Sequence, residues 1–210
     1  MLGIVDYAAG NQTSVARALK NEGIECMVSA SPKDLLACDG IIFPGVGAAG
    51  QAMAALAESG LDKALADAVS SGIPLLGICL GCQIMLEHSE ENDTPLLGLL
   101  PGKCVRFPEN LRNPDESRAC VPHMGWNSLE QRRPCRLLEG ISPDAQFYFV
   151  HGYHVVTDPG LVLATSMHGL EFCAIHGRDG LWGVQFHPEK SGRPGLALLA
   201  NFSEYCEERT

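Results

Sequence analysis

Through Ser89 the chain alternates short apolar runs with helical stretches, and no other feature constrains its fold as much. LGIVDY, from Leu2, reads as a buried strand rich in β-branched residues. NQTSVARALKNEG follows, with Val15, Ala18 and Leu19 at helical spacing and a stop at Gly23. IECMVSA and CDGIIFPGVG are the second and third strands, the latter ending in a Pro-Gly-x-Gly turn. AAGQAMAALAESG and LDKALADAVSSG are alanine-rich helices stopped by Gly60 and Gly72. IPLLGI is a fourth strand that runs straight into CLGCQIMLEHSE, read as a helix. This pattern predicts an α/β fold, doubly wound, with a mostly parallel central sheet flanked by helices. From Pro95 to Pro188 the runs GKCVRF, VPHMGW, QFYFVHGYHVVT, LVLATSM, EFCAIHG and LWGVQFH add a smaller antiparallel or mixed β region. PGLALLANFSEYCEERT closes as a helix, and Phe107–Ser117 is a polar excursion. With no repeat and no linker, residues 1–210 are expected to form a single domain.

The bulk properties narrow the function. Apolar residues make up 46% of the 210 and charged residues 19%, as in a globular chain with a sizeable core. The net charge is −10 without a basic cluster, which argues against nucleic acid or an anionic membrane as the main partner. MLGIVDY is too short for a signal core and lacks a basic flank, and no apolar stretch approaches a bilayer span, so a cytosolic location is expected. The nine cysteines are odd in number in a chain that is not small, so most should be buried hydrophobes rather than a disulfide framework. No Walker-type phosphate loop is present, and neither a cofactor nor a metal is expected.

Cys79 stands at the fourth strand-to-helix junction, inside Gly77-Ile78-Cys79-Leu80-Gly81. This is the G-x-nucleophile-x-G pattern of a nucleophile elbow, in which a strained residue is flanked by glycines that allow strand and helix to approach. Its side chain would emerge at the carboxyl end of the sheet, where open α/β folds keep their sites, over a helix start that favours a thiolate. Cys82 three residues on makes a C-x-x-C. Redox pairs of that form usually follow the first strand, and a structural zinc would need a second pair, which is absent. The elbow alone leaves both a nucleophile and an inert buried thiol open. A nucleophile needs a base and an orienting group. Among the seven histidines only His187 ends a buried apolar strand and meets a turn at once, in LWGVQFHPEKSG, with Glu189 two residues on to hold its tautomer. Alone, such a pair is more often a capping histidine beside a solvated glutamate; together with the elbow it is not.

GICLGCQ and GVQFHPEKSG together resemble the class I glutamine amidotransferases, whose triad is Cys-His-Glu. DYAAGNQTSV, PGVGAAGQAM, GLLPGKCVRF, VPHMGWN and FYFVHGYH are similar to the glutaminase subunits of imidazole glycerol phosphate synthase, and the resemblance covers nearly the whole chain. It implies that Cys79 attacks the glutamine amide, His187 moves the protons and Glu189 orients His187. It further implies an oxyanion site at the backbone N–H groups of Leu80 and Val46, the latter following Gly45. Gly47, Gln83, Glu91, His151, Gly152 and Tyr153 match positions that grip glutamine. Asn11, His123, Met124, Gly125, Trp126, Asn127, Tyr148 and Lys190 fall in motifs that face the partner. The partner implied by the resemblance is a (β/α)8-barrel cyclase subunit, forming a heterodimer. In that family the cyclase receives the ammonia and makes imidazole glycerol phosphate and an aminoimidazole carboxamide ribonucleotide in histidine biosynthesis, and the same is expected here. Without the resemblance Trp126 and Tyr148 would read as core aromatics. A pyridoxal phosphate synthase glutaminase would share the triad but is not expected to carry PGVGA or VPHMGWN. A non-catalytic binding subunit would show a triad lesion, and a peptide or ester hydrolase would not explain HPEKSG. Three positions depart from the pattern: Ala9 for the glycine of D-Y-G-x-G-N, Cys82 where Met is usual, and Gly152 where a hydroxyl residue follows His151.

Overall fold

The computed structural model describes residues 1–8, 10–113 and 115–209. The first half builds β1 (Leu2–Val5), α1 (Gln12–Asn21), β2 (Cys26–Ser29), α2 (Pro32–Leu35), β3 (Gly40–Gly45), α3 (Ala49–Ser59), α4 (Leu61–Ser70), β4 (Leu75–Cys79) and α5 (Leu80–Ile84). The second half is mainly β: β5 (His88–Ser89), β6 (Thr94–Pro95), β7 (Lys103–Arg106), β8 (His123–Ser128), β9 (Glu130–Gln131), β10 (Gln146–His151), β11 (Tyr153–Val156), β12 (Val162–His168), β13 (Leu170–Arg178) and β14 (Leu181–Val184). Helix α6 (Gly192–Glu207) ends the order.

β1, β3 and β4 are buried along their whole length, as expected of strands covered on both faces. They pair in parallel in the order β2-β1-β3-β4-β14. β14 then carries the sheet into an antiparallel wing through β13, β11 and β7. The β-rich second half is thus largely continuous with the central sheet, while β8 and β10 form a separate antiparallel ribbon. Apolar clusters lie on both faces: Phe147, Phe186, Trp182 and Phe202 on one, Phe43, Leu56, Leu65 and Met85 on the other.

Two local departures from the sequence reading bear on the site. The helix expected from Cys79 to Glu90 stops at Ile84, because the segment after β6 takes its free carbonyls. Leu97 N–H donates to Ile84 O at 3.0 Å and Leu100 N–H to Met85 O at 3.0 Å. The short helix also limits the dipole available to Cys79. The left-handed residue near the N-terminus is Ala8, at φ 65°, which is where the glycine of D-Y-G-x-G-N falls when counted from Asp6. The departure assigned to Ala9 therefore belongs to Ala8, and Ala9 itself lies outside the described residues. Left-handed φ costs an L-residue about 1–2 kcal/mol, part of which glycine gives back through the unfolded chain. Ala8→Gly should raise the melting temperature by about 1–3 °C in a thermal scan, and a lower value would show that Ala8 is not strained.

Candidate active site

β3 and β4 end side by side, with Gly45 in register with Cys79. Cys79 takes φ 54° and ψ −109°, a conformation that L-residues avoid. The elbow closes only because its neighbours lack side chains. A Cβ at Gly81 would stand 1.9 Å from the Phe43 carbonyl oxygen, and one at Gly77 would stand 2.8 Å from Cys82 Cα. Gly45 answers the same crowding, since its Cβ would come within 2.9 Å of Gly81 N and 2.4 Å of Tyr7 Oη. Cys79 and Cys82 are both free thiols in different settings. Cys79 faces a cavity of about 340 Å³. Cys82 is wholly buried, and burial, then its neighbours Cys79, Cys104 and Cys173, push its thiol pKa well up.

His187 leaves the end of the β14 segment and lines the same cavity. Its Nδ1 lies 2.7 Å from Glu189 Oε1, and both side chains are fully buried. Ser191 pins the turn: its hydroxyl donates to the His187 carbonyl at 2.6 Å and accepts from Tyr148 N–H at 2.9 Å. Asn11 Nδ2 approaches Glu189 Oε1 at 3.4 Å. Nε2 of His187 is buried, makes no close hydrogen bond among the described residues, and is the ring atom left to face Cys79. Burial alone would lower the His187 pKa; the Cys79 sulfur and the Glu189 carboxylate, which both favour the charged ring, outweigh it and raise it to about 9.

The cavity wall contains Val46, Gly47, Leu80, Gln83, Glu91, His151, Gly152 and Tyr153, together with Pro122 and Val150. Every position matched to glutamine binding thus meets Cys79 in one place. Glu91 Oε2 also accepts from Ala49 N–H at 2.7 Å, which caps α3. Leu80 is the first residue of α5, so its N–H has no intrahelical partner. Gln83 donates to the Tyr153 carbonyl at 3.1 Å and to Gln185 Oε1 at 2.9 Å, and Gln185 Nε2 lies 4.0 Å from Cys79 Sγ. Sequence reasoning missed Gln185 and Ser191. The available signal was a polar residue at a buried position of the LWGVQFH strand. A larger cavity, about 480 Å³, is lined by residues of β11, β12 and β13, including His154 and Cys173; its Arg132 is ion-paired to Glu130 and Glu171, and the Cys173 thiol donates to the Ile175 carbonyl at 3.4 Å.

The residues matched to the partner face divide. Met124 is 63% exposed and Trp126 54%, with Tyr148 meeting Trp126 edge-on at 5.9 Å. Lys190 is exposed, and Gly125 and Asn127 are half-buried. Asn11 and His123 are each only 4% exposed and point inward, Asn11 toward Glu189 and His123 toward His151. Among the described residues no cluster of three or more His, Cys, Asp or Glu side chains could hold a metal ion, and no helix is long and apolar enough to cross a membrane.

A doubly wound sheet with a strained cysteine at a strand–helix elbow, next to a buried histidine held by glutamate, defines a class of amide-hydrolysing domains. The family model for class-I glutamine amidotransferases matches residues 3–205. The chain is 62% identical over 208 residues to the imidazole glycerol phosphate synthase subunit HisH of Desulfovibrio desulfuricans, covering 99% of this chain and 96% of that one. It is 60% identical to the HisH subunit of Nitratidesulfovibrio vulgaris, covering 99% and 98%. Among solved structures, a glutamine amidotransferase superposes with a TM-score of 0.76 at 21% identity, covering 98% of each chain. PurLQS from Thermotoga maritima matches with a TM-score of 0.74 at 19% identity, covering 97% of each. The chain belongs to the class-I glutamine amidotransferase family, within the group of HisH glutaminase subunits.

Proposed function

We propose that this chain hydrolyses L-glutamine to glutamate and ammonia at Cys79, and that the ammonia passes directly to a (β/α)8-barrel cyclase subunit docked on the exposed Met124–Trp126 face. One observation carries the reading: the strained Cys79 shares a cavity with His187, whose far nitrogen is tied to a buried carboxylate at 2.7 Å.

Glutamine would enter with its α-ammonium toward Glu91 and its amide over Cys79. The thiolate attacks the amide carbon and the carbonyl π pair moves onto oxygen. The N–H groups of Leu80 and Val46 would hold that oxyanion. His187, carrying the thiol proton, delivers it to the departing nitrogen, and ammonia leaves a γ-glutamyl thioester. His187 then takes a proton from water, hydroxide adds to the thioester, and the thiolate departs as glutamate forms. Ammonia released to bulk water would be protonated and lost as a nucleophile, so a docked acceptor gives the reaction its purpose. The chain has no Walker-type loop, consistent with the partner binding the phosphorylated acceptor.

The Gly45–Val46 peptide is expected to act as the switch. With the Val46 N–H turned away one donor is missing, which typically costs about 10²–10³ in rate. Docking and cyclase ligand should raise activity only as far as they favour the inward peptide. Gly45→Ala cannot probe this, because its Cβ would press on Gly81 whichever way the peptide points. Steady-state glutaminase rates decide, with the chain alone, with the cyclase, and with cyclase plus its phosphorylated ligand. A stepwise rise totalling about 10²–10³-fold is expected, and equal rates in all three would remove both switch and partner.

A further inference from the structure

Several histidines crowd one side of the candidate cavity without a part in the reaction above. His123 on β8 sets its Nδ1 3.0 Å from His151 Nε2. His151 Nδ1 lies 2.8 Å from the Tyr153 carbonyl oxygen. A carbonyl oxygen only accepts, so His151 carries its proton on Nδ1. Burial lowers the His151 pKa to about 3 and that of His123 to about 4, so both rings are neutral near pH 7. His151 Nε2 is then an acceptor, and His123 donates to it from Nδ1. His123 Nε2 is left as an acceptor, and Asn127 Nδ2 faces it at 3.4 Å while also donating to the Met167 carbonyl at 2.8 Å. Donation therefore runs one way, from Asn127 through His123 and His151 to the Tyr153 carbonyl. That carbonyl also receives Gln83, which reaches Gln185 and the edge of Cys79.

Packing alone does not account for these rings. His123 stacks on His168 at 4.1 Å and on Phe149 at 4.9 Å, and Phe107 and Phe172 close the cluster. Phenylalanine would fill the same space without the cost of burying polar nitrogens. It could not hold the backbone at 151–153 through a donor. We propose that His123 and Asn127 are positioning residues for glutamine: their hydrogen bonds fix His151 and the Tyr153 carbonyl, and so set the cavity wall that faces Cys79. The proposal rests on the reading of this cavity as the glutamine site. It also gives β8 two jobs, since Met124 and Trp126 point outward from the strand whose inward residues hold the wall.

The test uses the full chain with its cyclase subunit. His123→Leu should raise the KM for glutamine about tenfold while kcat changes less than about threefold, because a buried acceptor on His151 loses its donor. His123→Asn places an amide N–H near the former Nδ1–H and should bring KM back to within about threefold of wild type. Imidazole nitrogen NMR of the unmodified protein should show Nδ1–H on both His123 and His151, with signals that move when glutamate is added. An unchanged KM in His123→Leu, equal impairment of the Asn variant, or an Nε2–H at either ring would overturn the proposal. If the Leu variant fails to fold, the NMR of the unmodified protein decides. An electrophilic glutamine analogue separates the two readings. No labelling of Cys79 removes the glutamine site itself, whereas labelling with unaffected His123 variants removes only the positioning role.

Discussion

Cys79→Ala should abolish glutaminase activity, with a loss of roughly 10⁴-fold or more, while Cys82→Ala should keep activity within about threefold of wild type. The two thiols are three residues apart, and their surroundings separate them completely. Cys79 ends β4 in a conformation that points it into the cavity, with His187 on the same wall. Without its sulfur no thioester can form, and among the described residues no other thiol and no serine or threonine hydroxyl lines that cavity. Cys82 sits under the elbow, close enough to Gly77 and Gly183 that neither position has room for a side chain. Burial raises its pKa, so it stays a thiol and packs as a small apolar group. Its loss should cost about 1–2 kcal/mol of stability from the small cavity left behind. An electrophilic glutamine analogue followed by peptide mapping checks the assignment, and modification should fall on Cys79 alone. A second signature is electrostatic: in Cys79→Ala, His187 loses one of the two partners that raise it and should titrate lower by NMR. Reversed activities of the two alanine variants would sink the assignment.

The parts of this site that were legible in the sequence are local. The elbow is five consecutive residues, and the histidine and its carboxylate are two residues apart, so pattern and chemistry coincide. The alternation of strands and helices likewise reports on neighbours in the chain. What escaped is carried by pairings across long stretches of chain. Gln83 and Gln185 meet over 102 residues, and His123 and His151 over 28. No spacing rule marks such pairs before the sheet order is known. The same applies to α5, which reads as a longer helix until the segment after β6 takes its terminal carbonyls. Asn11 illustrates a subtler limit. Its motif pointed to the partner face, yet its side chain is turned under Glu189, because the loop after β1 and the turn after β14 pack together at the carboxyl end of the sheet.

His187→Asn should lower glutaminase activity by about 10²–10⁴-fold, the usual worth of a positioned proton carrier. Glu189→Gln should cost less, about 10–10²-fold, and the geometry gives the reason. The Nδ1–H of His187 needs an acceptor, and a glutamine carbonyl can still supply one. The new amide would face Asn11, whose Oδ1 is buried without a partner among the described residues. Orientation thus survives while the negative charge is lost. The loss should appear in the pH profile. In the wild type the Cys79 sulfur and Glu189 outweigh burial and raise His187 to about 9 from an ordinary 6.5. The stabilisation His187 draws from its partners is therefore complete below its unfolded value and is lost as pH rises through about 9. In the proposed reaction protonated His187 is also the acid that releases ammonia, so kcat/KM should fall on the alkaline side near pH 9. Glu189→Gln removes one raising partner and leaves burial in place, so that limb should move to lower pH. A profile of kcat/KM against pH for both proteins makes the measurement. Wild-type activity in His187→Asn would remove the triad, and an unmoved alkaline limb in Glu189→Gln would remove the electrostatic role of the carboxylate.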